Sequence, residues 1–89
     1  MTVRQLTLWL FPESDFTAWA KLVGETKLTN YAAYLELLAE TEATYGDRGI
    51  EVLRVSMTVE QMVDELAARG WQNTPANRAA VVGLTSDKA

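Results

Sequence analysis

The 89-residue chain has no cysteine and no histidine. Without cysteine it can form no disulfide, thiolate zinc site, iron–sulfur cluster or cysteine nucleophile, and it suits a reducing compartment. Without histidine it lacks the commonest metal ligand and the side chain that titrates, unperturbed, near neutral pH. Most familiar catalytic triads and zinc sites fall with these two residues, and no metal or cofactor is expected. Long hydrophobic runs are missing too: no apolar stretch approaches the roughly 18 residues that suggest a membrane span. The N-terminus, Met1-Thr2-Val3-Arg4-Gln5, lacks a basic region followed by an apolar one. No secretory signal and no membrane association are therefore expected, and the expected location is cytoplasmic.

Basic charge is in the minority, with eight Lys and Arg against twelve Asp and Glu and a formal net charge of -4. That balance disfavours nucleic acid as a partner, because neutralising phosphate normally supplies much of the affinity. The remaining composition, 48% hydrophobic and 22% charged, is that of a globular chain. Its length suits one domain over 1–84, followed by a flexible tail over 85–89 that is small, polar and without an apolar stripe. A domain of this size buries only about 60–65% of the surface its unfolded chain exposes, so a partner subunit would help to stabilise it.

Val3 to Phe11 is a bulky apolar run stopped by Pro12 and reads as a strand. Pro12-Glu13-Ser14-Asp15 offers a helix start, with Ser14 or a neighbour as cap, and Phe16, Trp19, Ala20 and Val23 follow at helical spacing up to Gly24. A second helix is expected from Thr29 to about Tyr45, with Tyr31, Tyr34, Leu35 and Leu38 as its stripe. Gly46-Asp47-Arg48-Gly49 is a turn by composition. Ile50 to Met57 alternates as a second strand, with Leu53, Val55 and Met57 on one face and Val52, Arg54 and Ser56 on the other. Thr58-Val59-Glu60-Gln61 is a capping box, and Met57 with Met62 forms the accompanying hydrophobic staple. Gly70 ends that helix; Thr74-Pro75 caps and starts a last one through about Leu84.

These elements predict an α+β fold in the order β-α-α-β-α-α, a small two-layer domain. Two strands alone make a marginal sheet, so its completion across a homodimer is expected.

Catalytic constellations are hard to assemble. Glu36, Glu40 and Glu42 form a carboxylate group on one helix, but a solvated face accounts for them. Gly46-Asp47-Arg48-Gly49 precedes a strand, whereas a phosphate loop leads into a helix. Ser14, Ser56 and Ser86 lack a nucleophile-elbow setting, and Lys21, Lys27 and Lys88 show no spacing that selects a base. Among the aromatic residues, Trp9 and Trp19 follow the periodicity of their elements as core. Trp71 lies in a loop beside Gln72 and Asn73, and with Asn73, Asn77 and Arg78 it makes the candidate binding cluster.

Glu51 to Leu84, a strand followed by a capped helix, a glycine-ended turn and another helix, resembles a ribbon-helix-helix DNA-binding unit. The resemblance implies strand 50–57 with helices 58–70 and 74–84, a paired ribbon in the major groove, and Val52, Arg54 and Ser56 facing bases. It also implies that the amides around Thr74, Asn77 and Arg78 meet phosphate. The reading favoured by the whole sequence is different: a small, acidic, non-enzymatic cytoplasmic protein, a homodimer acting by macromolecular binding as a regulatory or accessory factor, with a protein partner. A DNA-binding regulator of the ribbon type is the first alternative. A subunit of an enzyme, or a small-ligand-binding protein, is the second.

Overall fold

Two strands, β1 (Gln5–Leu10) and β2 (Glu51–Ser56), pair in parallel, with Thr7 opposite Leu53, Leu8 opposite Arg54 and Trp9 opposite Val55. A hairpin cannot join parallel strands, so the chain between them must cross over. It does so through a 3-10 turn at Glu13–Asp15, α1 (Phe16–Val23) and α2 (Tyr31–Gly46). Beyond β2 follow α3 (Val59–Arg69) and α4 (Pro75–Asp87). The computed structural model describes residues 5–24 and 26–87; among them the domain is a small α+β fold of four α-helices and a two-stranded sheet. Val3 and Arg4, the expected start of the first strand, lie outside the described residues.

Helices approach the sheet from both sides, α4 on one face and α2 on the other. Side chains alternate along a strand, so Thr7 and Leu53 share one face and Leu8 and Arg54 the other. On the first face α4 passes close to β1: a β-carbon at Gly83 would stand 3.8 Å from the Thr7 hydroxyl. On the second, Arg54 reaches Glu42 of α2, its Nε donating at 3.1 Å. β1 carries apolar residues on both faces, with Leu6, Leu8 and Leu10, each partly buried, on one side and the buried Trp9 on the other.

The core gathers where β1 ends. Phe11 is fully buried among Trp9, Trp19, Tyr31 and Tyr34, with ring centroids 4.5–5.6 Å apart, and Met62 and Val81 are equally inaccessible from the α3–α4 side.

The caps explain where the helices begin and end. The Thr58 hydroxyl accepts from the Gln61 amide at 3.0 Å while the Gln61 side chain accepts from the Thr58 amide at 2.8 Å, as the sequence predicts. Gly70 closes α3 at a φ of 66°, a left-handed conformation that a side chain would strain. α2 starts at Tyr31, two residues later than the expected Thr29, because Asn30 is its cap and the Asn30 side chain accepts from the Ala33 amide at 2.8 Å. Neither Ser14 nor Asp15 caps α1. Instead Asp15 crosses to α3, where its carboxylate accepts from the Val59 amide at 2.9 Å. A carboxylate at a helix N-terminus meets the positive end of the dipole, so Asp15→Ala is expected to lower stability by about 1–2 kcal/mol in urea unfolding. α4 also runs through Thr85, Ser86 and Asp87, where a frayed tail was expected. The Thr85 hydroxyl donates to the Val81 carbonyl at 2.9 Å and lies 3.9 Å from the Met57 sulfur, so packing holds this last turn; Lys88 and Ala89 lie outside the described residues.

Candidate protein-binding surface

Asn73, Asn77 and Arg78 meet at the joint between α3 and α4, and their polar groups are spent largely on the chain itself. Asn73 Nδ2 donates to the Leu22 carbonyl at the end of α1 at 2.6 Å, and its Oδ1 accepts from the Arg78 guanidinium. Asn77 Nδ2 donates to the Gln72 carbonyl at 2.8 Å. The Asn77 amide is taken by the Thr74 hydroxyl at 3.1 Å and the Arg78 amide by the Thr74 carbonyl at 2.9 Å, so neither faces outward as a phosphate donor. The cluster thus ties α4 to α1. Trp71 stands apart from it: it is 37% exposed, and the Arg69 guanidinium lies 5.4 Å from its ring centre. Arg69 also pairs with Glu65 at 3.1 Å.

The strand of the ribbon-helix-helix resemblance belongs to the intrachain sheet. Strand 51–56 is hydrogen-bonded in parallel to β1 of its own chain, and the face bearing Val52, Arg54 and Ser56 is the one turned toward α2. Arg54 and Ser56 remain exposed, but Glu42 holds the Arg54 guanidinium, and a base edge would have to displace that carboxylate. The Glu36, Glu40 and Glu42 group divides in the same way, with Glu42 on Arg54 and the other two exposed to solvent. Among the described residues no cluster of three or more acidic groups suits a metal ion.

A more open feature is the outer edge of β1. The Met57 amide donates to the Leu10 carbonyl at 2.9 Å, so the peptide groups of Leu10 turn toward β2; those of Thr7, Trp9 and Phe11, out of phase, turn away. Two of these outward carbonyls are closed by α2: the Tyr34 hydroxyl donates to Trp9 and the Tyr31 hydroxyl to Phe11, each at 2.5 Å. Burial, with Tyr31 alongside, pushes the Tyr34 hydroxyl up to about 12, so it remains a donor at neutral pH. Further along the edge, among the described residues, no side chain caps a carbonyl in this way. Thr7, Leu8 and Trp9 line a groove of about 240 Å³ with Tyr34, Leu37, Leu38 and Thr41 of α2 on one side and Arg78, Ala79 and Val82 of α4 on the other.

Among the described residues Arg78 is the one charged group in this lining. Its guanidinium is half-buried, and desolvation draws its pKa below the ordinary value, although arginine keeps its charge. Among the described residues no carboxylate lies within ion-pair distance of it; the ion pairs there are Arg54 with Glu42 and Arg69 with Glu65. Leu37 on the opposite wall is 45% exposed.

A second cavity, of about 300 Å³, opens at the carboxyl ends of the two strands, where parallel sheets commonly take ligands. Leu10, Phe11, Pro12, Tyr31 and Met57 line most of it, and Thr58 and Gln61 satisfy each other. The Val59 amide, a natural anion donor at the start of α3, is already bound by Asp15.

No known protein family, curated protein or solved structure matches the chain. Of this surface, the sequence marks Arg78 as a binding residue; it does not mark Leu37, Ala79 or the tyrosine hydroxyls. Two tyrosines on an otherwise aliphatic stripe are the only local trace of the edge they cap.

Proposed function

We propose that this chain is a small binding protein, a cytoplasmic regulatory or accessory factor that works by contact with another protein and carries out no chemistry of its own. The observation that carries this reading is a two-stranded sheet with peptide groups open on both outer edges. Sheet edges are templates for a further strand, and a lone pair of strands is marginal in water. On β2 the amides and carbonyls of Val52, Arg54 and Ser56 turn away from β1, and among the described residues they have no backbone partner. Apolar side chains left exposed, including Leu37, Val63, Trp71 and Leu84, add surface suited to protein contact.

The homodimer fits this reading best through β2. Two β2 strands meeting antiparallel about a twofold axis make one four-stranded sheet. Each Arg54, brought near its counterpart, already has Glu42 to neutralise it. Sedimentation equilibrium at micromolar concentration is expected to give a dimer. Ser56→Pro, which removes an outward amide and leaves the intrachain ladder intact, is expected to give a folded monomer, as is Val52→Lys. A monomeric parent protein rules out this assembly.

A further inference from the structure

We propose that the groove along β1 binds an extended acidic segment of a partner protein, added to the sheet as a third strand. This rests on the binding-protein reading and names the partner's chemistry. Three features meet in the groove. The first is hydrogen bonding: the Thr7 amide and carbonyl and the Trp9 amide turn outward, and among the described residues they have no backbone partner. An incoming strand supplies the missing groups, which is how sheet edges capture peptides. Pairing is confined to this stretch, because Tyr34 and Tyr31 occupy the carbonyls of Trp9 and Phe11.

The second feature is the walls. An extended peptide turns alternate side chains to opposite faces, so one set meets Leu37, Leu38 and Thr41 and the other Ala79 and Val82. Both surfaces are largely apolar, and they favour small or β-branched apolar residues at alternate positions.

The third is charge. Arg78 borders the groove half-buried, bonded to the neutral Asn73 and to no described carboxylate. A carboxylate placed there gains a charge-assisted hydrogen bond in a partly desolvated setting. The chain as a whole carries -4, so acidic segments are repelled elsewhere and favoured at this position. A second copy of the chain does not fit: its own β1 edge is recessed between the same helices, and two recessed edges cannot approach to the roughly 4.8 Å spacing of paired strands.

The test is selection of short peptides from a random-sequence library on the immobilised full chain, followed by anisotropy titration of labelled peptides from the enriched pool. Enriched sequences are expected to alternate apolar residues around an Asp or Glu. Their affinity is expected to fall about tenfold or more in Arg78→Gln, the loss of one charged hydrogen bond, and as far in Ala79→Phe, which fills the groove. Arg48→Gln, an equal change of charge on an exposed turn, is expected to leave binding unchanged. Amide exchange at Thr7 and Trp9 is expected to slow in the complex. Enrichment of basic sequences, or binding that survives both Arg78→Gln and Ala79→Phe, overturns the groove assignment while leaving the chain a binding protein. If no peptide is retained, the groove assignment also fails, and the β2 dimer stands or falls by sedimentation. A dimer dissociated by Ala79→Phe assigns the groove to a second copy and overturns the proposal.

Discussion

Phe11→Ala is expected to leave the domain largely unfolded at physiological temperature. Phe11 is fully inaccessible and lies directly beyond β1, where it joins three parts of the fold. Its ring stacks on Trp19 of α1 at 5.1 Å, meets Tyr34 and Tyr31 of α2 at 4.5 and 5.6 Å, and meets Trp9 of β1 edge-on at 5.6 Å. Truncating a buried phenylalanine costs about 3–5 kcal/mol, from lost transfer free energy and the cavity left behind. A domain has only about 0.05–0.15 kcal/mol of stability per residue, so here the loss is comparable to the whole. Rings in contact add to it, since each aromatic pair contributes about 0.5–1.5 kcal/mol beyond the area it buries. Phe11→Leu keeps most of the volume and is expected to cost less than half as much. Urea unfolding followed by far-UV circular dichroism measures both. If Phe11→Ala shifts stability by less than about 1 kcal/mol, the aromatic cluster is not what holds α1 and α2 to the sheet.

The features legible in the sequence are those decided by neighbouring residues. The capping box at Thr58 and Gln61 closes over three residues, and both of its hydrogen bonds form. Gly70 is marked as a helix end because the left-handed conformation suits glycine. The apolar run from Leu6 to Phe11 marks a strand with little freedom to be anything else. Features decided across the fold were out of reach. Asp15 reads locally as a possible cap for its own helix, yet it serves Val59, 44 residues away. Asn73 reads as a loop residue open to a partner, but its amide binds the Leu22 carbonyl, 51 residues distant. Thr85 and Ser86 look like a tail by polarity, yet they continue α4, where Thr85 lies beside the Met57 sulfur, 28 residues away in the chain. The parallel pairing of β1 and β2 is likewise a non-local fact that periodicity does not carry. The candidate site divides along the same line. Arg78 was visible by residue type; the groove was not, because its floor is a strand edge and its walls come from helices more than thirty residues apart in the chain.

Tyr34→Phe is expected to destabilise the domain at neutral pH and to change how it responds to alkali. At neutral pH the Tyr34 hydroxyl donates to the Trp9 carbonyl at 2.5 Å, and its removal leaves a buried acceptor unpaired at a cost of about 1–3 kcal/mol. The pH dependence follows from the same bond. Burial, then the neighbouring Tyr31, holds the hydroxyl protonated up to about 12, whereas in the unfolded chain it ionises near the ordinary 10. The folded form therefore keeps its proton over a range in which the unfolded form has released it. The stabilising contribution of Tyr34 is complete below about pH 10 and is lost as pH rises through about 12. Tyr34→Phe lacks this group, so its stability is expected to fall less steeply between those limits, and the two curves are expected to converge. Every other ionisable group is common to both proteins, and the difference between the curves isolates Tyr34. Urea midpoints taken at steps across this interval check it; curves that stay parallel to about pH 12 mean that the folded state does not hold the Tyr34 proton. The variant also bears on the groove. Tyr34→Phe keeps the ring that lines it and leaves the Thr7 groups and the Trp9 amide as they are, so a peptide that pairs with them is expected to bind the variant about as tightly as the parent, although the protein that binds it is the less stable of the two.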